Sequence, residues 1–457
     1  MSEQTSPLHH DSSSAAPVQA SPRFLPQLRI DTSSIEWSRA ITLAALVAIL
    51  VLAGFLRFTH VNWDAPGANS NSGHLHPDER FLAQIQNDTK FPSSPLNYFD
   101  TDTSALNPYN IQRPEGGTQP TFVYGTLPLF LNKTVAEWLD EDQRTNDAGE
   151  VTYTSPWTAK VVRGAISAVG FDLERDGGRL VFDGGYEGHL VGRVLAGLFD
   201  LGTIVFLFLI GRRLMNRNVG LLAGFLYAVS PFPIQNSHFF IVDPYVTFFA
   251  TATVFFAIRS AQDGGYRNFA LAGVGAGLAA ACKITAVSLL PVAMLGVGVY
   301  AWPGIKPYVA GWWKADGERY GAQQDGHALD RSVATVVLGS LVVLLAGFVA
   351  FRIAMPYAFN SPNVFDFFSW RMGQVWKFPV PYPDIMNQHW LGDQVDQQNL
   401  LSGDAAFPPN VQWIGRSKWI WPAQQMIAWG MGPALGIVAW LGVAFAAVYA
   451  IRKRQGV

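Results

Sequence analysis

His76-Pro77-Asp78-Glu79-Arg80 places two adjacent carboxylates and a guanidinium within one short stretch of chain. A carboxylate within hydrogen-bond reach of a hydroxyl can take its proton while that oxygen attacks an electrophilic carbon, and a guanidinium can hold a departing phosphate. Side chains of neighbouring residues diverge by about 100° on a helix and about 180° on a strand, so the two acids cannot serve one atom equally. One acts and the other positions. Asp78 is read as the base, leaving Glu79 to bind a cation or to orient Arg80. The bland alternative is a solvated loop run, or a helix start after Pro77 with both acids facing the positive end of the helix.

Further along the chain stand Arg193, His238, Asp243 and Lys283. Asp243 precedes Pro244, where an acid ordinarily caps a helix. Lys283 sits in Ala-Cys-Lys-Ile-Thr-Ala, where a cation is costly unless it meets an anion, either a phosphate or Asp243. Arg193 adds positive charge for a phosphate, against the alternative that it snorkels to an interface. Asp200, seven residues on, shares the helical face of Arg193 about 10 Å deeper and is expected to pair with a buried polar group. His74, His76, Asp78, Glu79, Asp243 and His238 also have the oxygen and nitrogen donors for Mg²⁺, Mn²⁺ or Zn²⁺, so a divalent metal is an open expectation.

These residues need elements to hold them, and composition says which. Charged residues make up 14% of the chain and AVILMFWYC 49%, against about 25% charged in a soluble domain, so the chain reads as an α-helical, polytopic membrane protein. Ala40 to Leu56 is uncharged, lies between Arg39 and Arg57, and is long enough to cross a bilayer. Further apolar runs are Val194 to Ile210, Val219 to Val229, Tyr245 to Ile258, Phe269 to Cys282, Ile284 to Trp302, Val333 to Phe351 and Met426 to Ile451. The expectation is therefore about eight spans, three of them short.

With Arg39 cytoplasmic, alternation puts the basic groups at 212–217, 259–267, 306–331 and 452–454 on the same side, which is the charge bias of cytoplasmic loops. Residues 57–193 and 354–425 then form two long outer loops, and residues 426–457 a last span with a basic cytoplasmic tail. Residues 1–37, polar and poor in large apolar side chains, read as a disordered cytoplasmic tail, and the first span as an uncleaved anchor in the plasma membrane. Cys282 is the single cysteine, so no internal disulfide can brace the loops. A net charge of −2 argues against nucleic acid as partner. Phe122 to Leu131, followed by Val135, Trp138 and Leu139, reads as an amphipathic helix lying in the membrane interface. Trp370, Trp376, Trp390, Trp413, Trp419 and Trp421 either stack on a sugar or anchor the second loop at the interface. Nothing in the pattern sets the oligomeric state.

The acid pair after the first span, Gly192-Arg-Val-Leu-Ala-Gly-Leu198, the run Gly211 to Pro231, Ser237-His-Phe-Phe-Ile-Val-Asp243 and Ala280-Ala-Cys-Lys-Ile-Thr285 together resemble the GT-C membrane glycosyltransferases. The similarity is to their protein O-mannosyltransferase and aminoarabinose transferase branch and covers residues 38–353 as a GT-C-like core. It implies inverting transfer of a sugar from a polyprenyl-phosphate donor, within the membrane lipid, to an acceptor protein or glycan outside the cytoplasm. It makes Asp78 the catalytic carboxylate with Glu79 its partner, Asp243 a second acid for acceptor or metal, and Lys283 a neighbour of the carrier phosphate. Relatives carry eleven or more spans, more than are read here. Two readings from other classes compete: a flippase for a lipid-linked sugar, with Arg193, Asp200 and Lys283 along its path, and a non-catalytic scaffold of a glycan-assembly complex.

Overall fold

A computed structural model describes residues 39–64, 76–114, 116–146, 150–168, 179–183, 185–311, 326–360, 370–375, 378–383, 385–402, 411, 414–417 and 419–455. His74, Trp376, Trp413 and residues 1–37 lie outside them. The protein is largely helical, and each expected apolar run falls in helical structure: α1 (Arg39–Phe58), α5 (Gly185–Leu214), α6 (Arg217–Ala228), α8 (Asp243–Asp263), α9 (Tyr266–Cys282), α10 (Leu289–Gly311), α11 (Gly326–Ala354) and the last helix, Pro433–Gln455. Among the described residues four stretches are long and apolar enough to cross a membrane: 39–58, 188–214, 284–310 and 327–354. This is an integral membrane protein. Of the other expected spans, α6 and α9 have 12 and 17 residues, short of the about 20 a span needs, whereas α8 and the last helix have 21 and 23.

The bundle closes where side chains are smallest. A Cβ at Gly273 would strike the carbonyl of Val343, and one at Gly277 the carbonyl of Gly347, so α9 and α11 meet backbone to backbone, the usual device of helices in lipid. An ion pair stitches three other helices. Fully buried Arg57 at the end of α1 donates to Asp200 on α5 at 2.5 Å and to the Ala228 carbonyl of α6 at 2.9 Å, and Tyr227 donates its hydroxyl to Asp200 at 2.6 Å. Asp200 therefore does find the buried polar partner its depth demands.

At one end of the bundle the two long loops fold over it together. The cap holds α2 (Pro77–Asp88), α3 (Thr126–Leu139), α4 (Trp157–Ala168), an antiparallel pair Asp142–Thr145 with Val151–Thr154, and α12 (Gln388–Ser402). One apolar core joins Leu82, Leu106, Phe122 and Leu129 of the first loop to Met355, Tyr357 and Trp390 of the second. Asp393 on α12 is buried and accepts from the Tyr109 hydroxyl at 2.6 Å and the Phe122 amide at 2.8 Å, which ties the loops with charge-assisted bonds. The stretch read as an interfacial helix is part of this core. Leu129, Phe130, Ala136 and Leu139 of α3 are buried, Leu127, Leu131 and Val135 are partly buried, and Trp138 is exposed. Its apolar face met protein, contributed by distant residues, before it could meet lipid.

Candidate functional site

The acid pair opens α2. His76 caps the helix, its Nδ1 accepting the Asp78 amide at 3.3 Å, and Pro77 occupies the first turn where a missing N–H costs nothing. The bland reading of a helix start is correct as local structure. The 100° divergence between neighbours then sends the acids apart.

Glu79 turns inward and is fully buried. Its Oε1 accepts Arg193 Nε at 2.7 Å and the Phe240 amide at 2.7 Å, while Oε2 accepts Arg193 Nη2 at 2.6 Å. The same guanidinium donates to Asp64 at 2.7 and 3.0 Å and to the Val61 carbonyl at 2.7 Å. All three charged side chains are inaccessible. Arg193, expected to receive a phosphate, has spent its donors on two carboxylates, and Glu79, expected at the reaction or on a metal, is an anchor for α2 on α5. Asp64 was not singled out from the sequence, since nothing local marks it.

Asp78 faces the other way and stays partly exposed, with Phe81 one turn later on the same side. There it meets Tyr124, whose ring packs on Phe81 with centroids 5.9 Å apart. Burial first, then the nearby charges of Asp78 and Asp243, push the Tyr124 phenol well above its ordinary range. It is a neutral donor throughout working pH. Tyr124 was hidden in the apolar run assigned to the interface.

Asp243 begins α8, and Lys283 closes α9 in an extended conformation that lifts its side chain off the helix. Lys283 Nζ lies 3.2 Å from Asp243 Oδ1, with both side chains close to half exposed. The pair answers the expectation that this lysine has an anion nearby, and its exposure leaves the ammonium open to exchange. Asp78, Tyr124, Asp243 and Lys283 thus gather at one end of the bundle. Arg80 is exposed on α2 with its amide bonded to the His76 carbonyl at 3.0 Å.

The segment carrying Tyr124 is pinned on both sides, by Asp393 on the Phe122 amide and by the Gly125 amide donating to the Cys282 carbonyl at 2.9 Å. A Cβ at Gly125 would overlap the Ala281 carbonyl and the backbone carbons beside it. Gly125→Ala is expected to cost about 1–3 kcal/mol or more in stability and to displace Tyr124, read as a lowered unfolding temperature with reduced activity.

The expected metal set does not assemble. Among the described residues no three His, Cys, Asp or Glu side chains converge as ligands. His238 faces the Ile234 carbonyl through Nδ1 at 2.8 Å and the Thr59 carbonyl through Nε2 at 3.1 Å, Glu79 is held by Arg193, and His76 Nδ1 accepts a backbone amide. These residues do not fit a divalent cation. Of the tryptophans, Trp390 is in the cap core, Trp419 is largely exposed, and Arg416 lies 4.1 Å over the Trp421 ring.

Residues 182–306 match the family described as dolichyl-phosphate-mannose-protein mannosyltransferase. The matched segment takes in Arg193, His238, Asp243 and Lys283, begins beyond Asp78, and is similar to the mannosyltransferase branch that the motifs resemble. No curated protein matches the chain. Among solved structures, the protein O-mannosyltransferase Pmt1-Pmt2 complex of S. cerevisiae bound to the sugar donor is 13% identical, over 71% of this chain and 35% of that one, with a TM-score of 0.36. The oligosaccharyltransferase of Archaeoglobus fulgidus in its apo form is 13% identical, over 70% of this chain and 36% of that one, at 0.36. The same enzyme tethered with an acceptor peptide containing the NVT sequon is 14% identical, over 69% and 34%, at 0.38. The chain spans about a third of the length of these proteins. At such distance the chemistry has to be argued from the residues.

Proposed function

We propose that the protein is a glycosyltransferase that moves a sugar from a polyprenyl-phosphate carrier to a hydroxyl acceptor, with inversion at the anomeric carbon. The observation that carries the reading is the placement of a partly exposed carboxylate, Asp78, and an accessible cation, Lys283 with its partner Asp243, at one end of a membrane bundle, joined through the Tyr124 ring on Phe81 and the Gly125 amide on the Cys282 carbonyl. The acceptor oxygen attacks the anomeric carbon as Asp78 takes its proton, and the bond from that carbon to the phosphate oxygen breaks on the opposite face. The phosphate leaves with the bonding electrons. Lys283, released from Asp243, receives that charge, Arg80 is a second cation within the same cap, and Asp243 is left to bind the acceptor. Arg193 and Glu79 hold the scaffold, and no step passes through a metal.

A donor phosphate attached to a lipid fits a site at the end of membrane-spanning helices. The basic groups of the short loops support cytoplasmic termini and a reaction on the opposite face of the plasma membrane. The acceptor is a protein or glycan hydroxyl. The test is release of radiolabelled sugar from a panel of polyprenyl-phosphate donors by the purified protein in lipid. Turnover supports the reading; carrier that crosses vesicles with its sugar attached would replace it by a flippase. Lys283→Met removes a charge-assisted contact worth about 1.5–3 kcal/mol, so donor affinity is expected to fall by about 10- to 100-fold while the fold stays intact. Unchanged donor binding would remove Lys283 from the site.

A further inference from the structure

We propose that the end of the bundle opposite the cap carries a lipid site: a cavity between α8, α10 and α11 takes the phosphate headgroup of an anionic membrane lipid. The cavity is separate from the reaction site, and binding there can be read whether or not sugar is transferred.

The cavity measures about 270 Å³, near the lower bound for small-molecule sites. Gln262 from the last turn of α8, Tyr300 and Gly304 from α10, and Arg331, Ser332 and Thr335 from the start of α11 are among the residues that line it. Two glycines let the helices close around it. Gly264, at φ 65° just past α8, lies against the Tyr300 ring where a Cβ would overlap it, and Gly304 faces Ser332 Oγ with no room for a Cβ between them.

No carboxylate is among the described residues of the wall. Arg331 Nε donates to the His327 carbonyl at 3.0 Å, which orients the guanidinium, and Thr335 gives its proton to the Arg331 carbonyl at 2.8 Å. The donors to a phosphate are therefore Arg331, Ser332 and Gln262, a fork with a hydroxyl and an amide, which suits phosphate oxygens. Acids close in sequence are turned elsewhere. Asp263 is held by Arg213 and Arg259, and the side chain of Asp330 diverges by about 100° from that of Arg331.

Position decides what bears the phosphate. Thr335 and Ala354, at the cap end of the same helix, are about 30 Å apart at about 1.5 Å per residue, the thickness of a hydrocarbon core. The cavity thus sits at the headgroup level of the leaflet away from the cap. Leu295, four residues before Val299 of the wall, and Leu338, three after Thr335, are one turn nearer the cap on the same helical faces, and both are exposed. Trp302, also exposed, stands three residues after Val299, where an aromatic ring meets a membrane surface. An amphiphile matches this order, with its anionic head in the cavity and its chains on Leu295 and Leu338. Basic pockets between membrane helices hold lipid headgroups in this way.

The experiment titrates the full chain in neutral detergent with phosphatidylglycerol, phosphatidylcholine or inorganic phosphate, reading bound lipid by native mass spectrometry beside the unfolding temperature. Phosphatidylglycerol is expected to bind more tightly than phosphatidylcholine, whose choline cation is repelled by Arg331, and to raise the unfolding temperature. Arg331→Gln removes a charge-assisted contact, so affinity for phosphatidylglycerol is expected to fall about 10- to 100-fold. Ser332→Ala, which adds no bulk against Gly304, is expected to lower it about 2- to 10-fold. Lys306→Gln removes an exposed cation of α10 that does not line the cavity and is expected to change it by less than about twofold. Equal losses from Arg331→Gln and Lys306→Gln would reduce the effect to diffuse surface charge and overturn the proposal, as would equal binding of the two lipids. Inorganic phosphate that binds as tightly as phosphatidylglycerol would overturn it too, leaving a site for a free anion.

Discussion

Asp78→Asn is expected to lower sugar transfer by about 10²- to 10⁴-fold, the range of a lost general base, with no change in unfolding temperature. The substitution is nearly isosteric. Asn leaves the hydrogen bond from its own backbone amide to His76 in place, so the helix start survives. What disappears is the ability to accept a proton at neutral pH, since an amide oxygen is far too weak a base. Asp78 is partly buried and bears no ion pair among the described residues, so the fold draws on its charge only at the positive end of α2, worth about 0.3–1 kcal/mol. The measurement is turnover of a labelled polyprenyl-phosphate sugar together with thermal unfolding of the same preparation. Full turnover by Asp78→Asn would end the assignment of the base. Activity lost only together with the fold would make the residue a structural cap.

How much of this was legible in the sequence depends on how local each feature is. The apolar runs were visible because a span is a local property, and every one of them falls in helical structure. The separation of Asp78 from Glu79 was visible too, since divergence of neighbours follows from backbone geometry alone. Which of the two lies inside was not. It depends on Arg193, 114 positions away in sequence, whose place at the end of a span looks the same whether it snorkels, binds phosphate or is buried. Tyr124 was missed for a related reason. An apolar run beside acids satisfies the pattern of an interfacial helix, and only the partners from residues 354–359 turn it inward. His238 looked like a ligand by type, and its ring nitrogens are occupied by carbonyls that no spacing rule would have paired with it.

Arg193→Met is expected to cost about 3–5 kcal/mol of stability, the largest structural effect in the molecule, because it strands two carboxylates where no water reaches them. That is a large share of the about 5–15 kcal/mol by which a folded domain survives. The penalty comes from what is left behind and not from the attraction lost. Adding Asp64→Asn and Glu79→Gln to Arg193→Met should therefore recover part of the stability, since neutral amides are cheaper to bury than unpaired anions. Arg193→Lys is expected to fall between wild type and Arg193→Met. It restores a charge, but one ammonium cannot reproduce a planar fork that reaches Glu79 through Nε and Nη2, Asp64 through Nη1 and Nη2, and the Val61 carbonyl. Thermal unfolding and yield of folded protein read all three variants. The opposite pattern, an Arg193→Lys variant as stable as wild type that has lost only its affinity for polyprenyl phosphate, would return the guanidinium to the carrier and make the buried pair with Glu79 a resting arrangement that the substrate opens.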